Sequence, residues 1–499
     1  MRRFALLCAV LLVAGVVAPA AVGGAAAAPA SSPTTAASLS ASALSTSTPT
    51  STSTSAAASA ASTPSNATGA PVCAGRVSQP ANGVTVVSVQ GARFGEEGGK
   101  TAARLVAFGP RGGILWVHHS GRKHGVVWSY DVDPLPNGNV FVTGTQRGTT
   151  VLYELNATTG ETVWRDELPF VDTHDADPLN RTHVVVANMR NPDVANGTND
   201  DRIVVYNRET DEITWTWRFD PRYPASAGGN YSEDWTHVND VDAVNPDGEG
   251  DRATHFLVSP RNFDQVLLVN RSSGDVELKL GSDGDYDTMK RQHNPDFLRS
   301  DAGNPTVVVA DSENDRVVEY AKRGGEWTQT WRVGSSDSLS WPRDADRLRN
   351  GHTLLGDSRN NRVLEVTPRG RVVWEVYAPW LVYDAERVPA AGFDADGYRD
   401  VGGSRGPTMA DIGGGGTYAL SNATPPETAA LESCAAAITT HDGGFRSLAT
   451  ATPGGDGDER TVTAATPVPS QTSTTIAGFG AAVAAAAVLV AALLGRRRA

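Results

Sequence analysis

Four segments of the chain carry chemically capable side chains at comparable positions. They are His174-Asp175-Ala176-Asp177, His237-Val238-Asn239-Asp240-Val241-Asp242, Gln292-His293-Asn294-Pro295 and Pro342-Arg343-Asp344-Ala345-Asp346. Three of them offer a histidine and the fourth an arginine, in a chain with 10 His in all. A lone histidine usually hydrogen-bonds a neighbouring loop, but a set in register points to convergence on one axis. Two chemistries fit these residue types. Neutral imidazoles with nearby carboxylates can bind a metal. Imidazole and guanidinium together can hold a tetrahedral oxyanion, with one imidazole acting as nucleophile.

The segments recur within a longer pattern. Between residues 100 and 440 a short strand, Trp-bearing in five of six cases, returns about every fifty residues, at Trp116, Trp164, Trp215, Leu278, Trp327 and Trp374. Each is followed by a loop, a polar strand start, a turn and an apolar strand. Asn137-Gly138 and Asn350-Gly351 read as hairpin turns between alternating strands. Four strands per unit at this period predict an all-β, six-bladed β-propeller, whose innermost strands line a central channel. The four segments stand at the starts of such strands. The sixth blade is expected over about 375–440, and residues 77–100 as a strand pair outside the ring. Only 426–437 has helical periodicity. The Trp-rich strands read as blade packing rather than as an aromatic pocket.

The 499 residues are not used evenly. Residues 1–30 read as a signal peptide: a basic start, an apolar run and an Ala-rich end. Residues 31–70 are rich in Ser, Thr and Ala and 446–475 in Thr, Pro and Gly; neither stretch holds an aromatic residue, and they read as a disordered stalk and linker. Residues 476–495 form a charge-free apolar run long enough to span a bilayer, and 496–499 carry three arginines, which stay cytoplasmic. The protein is therefore expected to be exported and anchored in the membrane at its C-terminus, with 71–445 as the folded domain. Asn-x-Ser/Thr sequons starting at Asn66, Asn156, Asn180, Asn196, Asn230, Asn270 and Asn422 suit surface glycans. With Cys8 in the leader, Cys73 and Cys434 are left to pair in an oxidising compartment and tie the domain's start to its end. A net charge of −13 argues against a nucleic-acid partner.

The channel segments resemble the arylsulfate sulfotransferases, secreted six-bladed propellers that move a sulfuryl group between phenols by a ping-pong cycle through a sulfated histidine. His237-Val238-Asn239 looks like the family's sulfate-binding pair, and Ser259-Pro260-Arg261 like its Ser-x-Arg segment. Gln292-His293 looks like the nucleophile segment, His174 like the first channel histidine, and Asn314-Asp315-Arg316 like the strand that follows. The resemblance implies His293 as nucleophile, with His174, His237 and Arg261 completing the catalytic set and Asn239 and Arg343 binding substrate. Partners would be aryl sulfates and phenols, with no cofactor and no metal. Past Val376 the family's last blade has no assigned segment.

Other readings stand beside it. One is a catalytically silent surface propeller that binds glycans or a protein, with the histidine cluster as an anion site. Another is a metal-dependent propeller hydrolase or lactonase built on Asp175, Asp177, Asp240 and Asp242. A further likeness, from Tyr153 to Trp164, is to the repeat of pyrroloquinoline-quinone dehydrogenases and outer-membrane assembly propellers. It reads as general blade grammar.

Overall fold

The computed structural model describes residues 71–95, 102–156, 162–220, 222–246, 253–388 and 406–441. The leader, the Ser/Thr-rich stretches and the 476–495 segment lie outside them. Among the described residues no helix is long and apolar enough to cross a membrane.

Six antiparallel sheets of four strands make the propeller. Blade 2 runs outward from the axis as Trp128–Pro134, Val140–Gln146, Thr149–Leu155 and Thr162–Leu168. Blades 3 and 4 begin at the axis with Ala176–Pro178 and Val238–Val244 and end with Glu212–Arg218 and Val276–Gly281. Blades 5 and 6 begin with His293–Arg299 and Pro342–Arg347 and end with Glu326–Val333 and Val372–Tyr377. Each gains a fifth strand at its rim: Gly416–Tyr418 joins blade 5 in parallel and Ala74–Val77 joins blade 6 antiparallel. The six recurrent strands of the sequence are the fourth strand of each blade, counted outward from the axis.

Blade 1 departs from expectation. Its inner strand is Leu381–Val388, which pairs antiparallel with Val84–Gln90, from Val84 opposite Val388 to Gln90 opposite Leu381. Arg104–Phe108 and Ile114–His118 complete it. Residues 84–90 therefore lie inside the ring and not beside it, and the described residues of 375–440 build no separate blade. The physical reason is closure: an isolated strand pair leaves an apolar edge unpaired, whereas chain start and chain end together fill the last gap.

Runs such as Val184-Val185-Val186 and Val307-Val308-Val309 are buried on both faces, because each sheet is sandwiched between two others. The apolar side chains collect in six clusters, one between each pair of neighbouring blades. The tryptophans fasten these contacts: Nε1 of Trp217, Trp331 and Trp374 donates to the carbonyls of Gly274, Pro368 and Pro110 on the next blade. The two Asn-Gly turns are built alike, with Gly138 at φ 81° and Gly351 at φ 80°. In each, the asparagine side chain accepts from the backbone N–H two residues on.

Helix Thr428–Thr440 lays Leu431, Ala435 and Ile438 on the blade 6–blade 1 cluster beside Trp374 and Val376. Cys434 on this face is disulfide-bonded to Cys73, next to the rim strand of blade 6.

Candidate functional site at the channel mouth

With apolar side chains taken up between blades, the inner strands are free to present polar groups to the axis. All six carry one tetrapeptide in register. In blade order from 2 round to 1 these are Tyr130-Asp131-Val132-Asp133, His174-Asp175-Ala176-Asp177, Asn239-Asp240-Val241-Asp242, His293-Asn294-Pro295-Asp296, Arg343-Asp344-Ala345-Asp346 and Tyr383-Asp384-Ala385-Glu386. The first position supplies one layer at the mouth, and the second (Asp in five blades, Asn294 in blade 5) and the acidic fourth supply two layers beneath it. In five of the strands the ladder slips at this point, between Ser129 and Val132, Val238 and Val241, His293 and Asp296, Pro342 and Asp344, and Val382 and Asp384. Such bulges re-aim a side chain out of the sheet plane.

The mouth layer brings together most of the residues singled out by sequence. The His174 ring stacks on Tyr130 with centroids 4.0 Å apart and meets His237 edge-on at 4.9 Å. Tyr383 stands between the histidines, with ring centroids 5.8 Å from His174 and 6.0 Å from His293. The strict equivalent of His174 and His293 in blade 4 is Asn239; His237 stands two residues upstream, in the left-handed region at φ 43°, and reaches the cluster from there.

Each residue is held by a definite partner. His237 Nδ1 lies 2.7 Å from Asp234 Oδ2, leaving Nε2 as its remaining polar edge. Asp234 also accepts from Arg190 Nε at 3.1 Å, and Arg190 bridges to Asp172, which accepts from the Tyr130 hydroxyl at 2.7 Å. His293 Nδ1 lies 2.8 Å from Ser312 Oγ. Burial pulls His237 and His293 below the ordinary imidazole range, and the Arg261 guanidinium pulls in the same direction. Both are neutral at physiological pH.

Two candidates are differently employed from what sequence suggested. Asn239 directs its amide N–H to the Gln292 carbonyl at 2.8 Å, so its donor serves the fold, while Oδ1 is a buried acceptor. Arg343 donates to Gln90 Oε1, the Val382 carbonyl and Ser358 Oγ at 2.9, 2.8 and 3.2 Å. Its guanidinium therefore braces blades 6 and 1 while lying over Trp341 and Tyr383. Arg261 is the reverse case. It opens a 3₁₀ turn, donates to Asn262 Oδ1 at 3.1 Å, and keeps Nε buried with no hydrogen-bond partner.

Asn314-Asp315-Arg316 belongs to a structural turn: Asn314 and Arg316 both clamp the carboxylate of Asp311. Asn360 and Arg362 clamp Asp357 in the same way in blade 6. Sequence reading passed over Tyr130 and Tyr383, although Tyr-Asp-x-Asp/Glu could have revealed both as variants of His-Asp-x-Asp.

Beneath the mouth, burial and mutual repulsion hold Asp131, Asp133, Asp175, Asp240, Asp242, Asp344, Asp384 and Glu386 well above the usual carboxylate range. Asp346 is pushed up to about 7 by burial, against the pull of Arg387. Several of these groups join blades: Asp384 accepts from Val132 N–H at 2.7 Å, Asp175 from Val241 at 2.6 Å and Asp177 from Ala243 at 2.7 Å.

A family described as the outer membrane protein assembly factor BamB matches residues 101–239, a stretch that includes the Tyr153–Trp164 repeat. No curated protein sequence matches the chain. Among solved structures, a protein of unknown function from Bacteroides caccae is 13% identical with a TM-score of 0.41, covering 62% of this chain and 98% of its own. A putative 6-phosphogluconolactonase from Bacteroides fragilis NCTC 9343 is 11% identical with a TM-score of 0.39, over 61% of this chain and 98% of its own. Virginiamycin B lyase from Staphylococcus aureus is 9% identical with a TM-score of 0.35, over 57% and 85%. The family match overturns the arylsulfate sulfotransferase expectation and, with it, that enzyme activity. Over residues 101–239, from the two outer strands of blade 1 through blade 3, the chain is similar to the BamB family.

Proposed function

We propose that this propeller is a binding module whose channel mouth recognises a ligand bearing an oxyanionic group on a ring-containing body, an acidic sugar being the simplest class. The observation that carries the reading is Arg261, with a buried and unpartnered Nε beside His237 and His293. A guanidinium with an unmet donor matches the planar geometry of a carboxylate or phosphate. The neutral imidazoles add directional hydrogen bonds without a second charge to desolvate. The rings of Tyr130, Tyr383 and Trp341 supply the flat surfaces on which a sugar or aromatic body packs. The exported, C-terminally anchored arrangement read from residues 1–30 and 476–495 suits such a module and rests on sequence alone.

The test is a titration of the folded domain with glucuronate and with glucose, followed by tryptophan fluorescence. Glucuronate is expected to bind, inorganic phosphate to compete with it, and glucose not to bind. Arg261→Gln should weaken glucuronate at least tenfold, as expected for loss of a charge-assisted pair. Equal responses to both sugars, or an affinity unmoved by Arg261→Gln, would overturn the assignment.

A further inference from the structure

The acidic layers below the mouth pose a separate problem. Asp175 and Asp240 are 3% and 5% exposed and Asp242 is 9% exposed. Each offers an oxygen lying within 4.8 Å of the others. The Asp175 carboxylate uses Oδ2 to accept from Val241 N–H, while its Oδ1 is buried with no hydrogen-bond partner. Asp240 Oδ2 is likewise buried and unpartnered. The charged groups that act most strongly on the three are further carboxylates, Asp131, Asp177 and Asp296 among them. Unmatched acceptors at this depth are costly unless a cation meets them.

The donor set identifies the kind of cation. Three carboxylates and no thiol or imidazole favour a hard ion over zinc or copper. Oxygens that share one Ca2+ at about 2.4 Å stand up to about 4.8 Å apart, whereas Mg2+ at about 2.1 Å requires a tighter and more nearly octahedral set. We infer that the axis binds one Ca2+ between blades 3 and 4, on Asp175, Asp240 and Asp242. The location has a structural logic. Asp175 belongs to blade 3 and Asp240 and Asp242 to blade 4, whose inner strands already meet through the Asp175–Val241 N–H bond, so an ion on the three would tie the same two blades. This site is distinct from the mouth and does not depend on the anion reading.

The experiment is equilibrium dialysis of the chelator-treated full chain against CaCl2 and, separately, MgCl2. The expected result is one Ca2+ per chain, bound at least tenfold more tightly than Mg2+, with a higher unfolding temperature in Ca2+ than in chelator. Asp240→Asn with Asp242→Asn should weaken Ca2+ uptake at least tenfold and abolish the thermal shift. Asp242→Asn alone, at the most exposed member of the set, serves if the double variant does not fold. Absence of stoichiometric uptake by the unmodified chain, preference for Mg2+, or uptake that survives these substitutions would overturn the site.

Discussion

Asp234 and His237 form a carboxylate–imidazole pair, Oδ2 to Nδ1 at 2.7 Å, across one tight turn at the entrance to the inner strand of blade 4. Burial works against the Asp234 carboxylate, but the hydrogen bond from His237 and the Arg190 guanidinium outweigh it and hold the group ionised, well below the usual carboxylate range. For His237 the balance is reversed: burial pulls it down and Asp234 only partly restores it. Asp234→Asn is therefore expected to lower the His237 pKa further and to leave its ring orientation less fixed. The check is the pH titration of the His237 ring signals by NMR, and a pKa that rises in the variant would contradict the pairing.

The tryptophan hydrogen bonds between blades should be separable from tryptophan volume. Trp374→Phe removes the donor to Pro110 across the closing interface, and Trp331→Phe removes the one to Pro368. Each is expected to destabilise by about 1–3 kcal/mol through an unmet buried carbonyl and a partly filled space. Urea unfolding measures both. Since the two bonds have the same role, losses of similar size are the expected pattern.

Cys73 and Cys434 are 361 residues apart in sequence. Replacing both by Ser is expected to cost about 2–5 kcal/mol by releasing a long loop in the unfolded chain. The helix still has Leu431, Ala435 and Ile438 against Trp374 and Val376, so binding at the mouth should persist while the urea midpoint falls. Loss of binding in a folded double variant would show that the helix reaches the mouth in some other way.

The axis sets a pH dependence whose sign follows from its carboxylates. Held above their ordinary range, these groups bind protons in the folded chain that the unfolded chain releases above about pH 4. Their stabilisation is complete below that value and declines as pH rises through about 7, where Asp346 titrates. Buried imidazoles impose the opposite trend on the acid side. Burial pulls His118 down to about 2 and His124 to about 4, so stability declines as pH falls below about 6.5. In chelator, the urea midpoint is expected to peak between these limits and to fall from pH 6 to pH 8. A midpoint that climbs over that interval would mean that the axial carboxylates are ionised in the fold.

The blade count was legible because the outermost strands repeat a visible feature, a tryptophan within a short alternating run, and because Asn-Gly fixes the turn between strands. The converging segments at His174, His237, His293 and Arg343 were legible for a related reason: rare residue types at one position of a repeat stand out. What escaped was relational. Nothing local in Leu381–Val388 says that its partner is Val84–Gln90, nearly 300 positions away, so the strand that completes the ring was left unplaced. The mouth tyrosines escaped because attention to histidine hid the common Asp-x-Asp frame. The engagement of Asn239 and Arg343 with the fold could not be read from their types, since donor geometry is decided by neighbouring strands.

The pairing of Leu381–Val388 with Val84–Gln90 has a temporal meaning. During synthesis, the early strand must wait with its inner edge open until almost the whole domain has emerged. No partial chain possesses a closed ring, a complete mouth or a full set of axial carboxylates. Blades 2 to 6 can gather as the ribosome delivers them, but the mouth layer is completed by Tyr383 in a single late event. A chain halted before Leu381 would thus be an open-sided intermediate whose mouth layer lacks Tyr383.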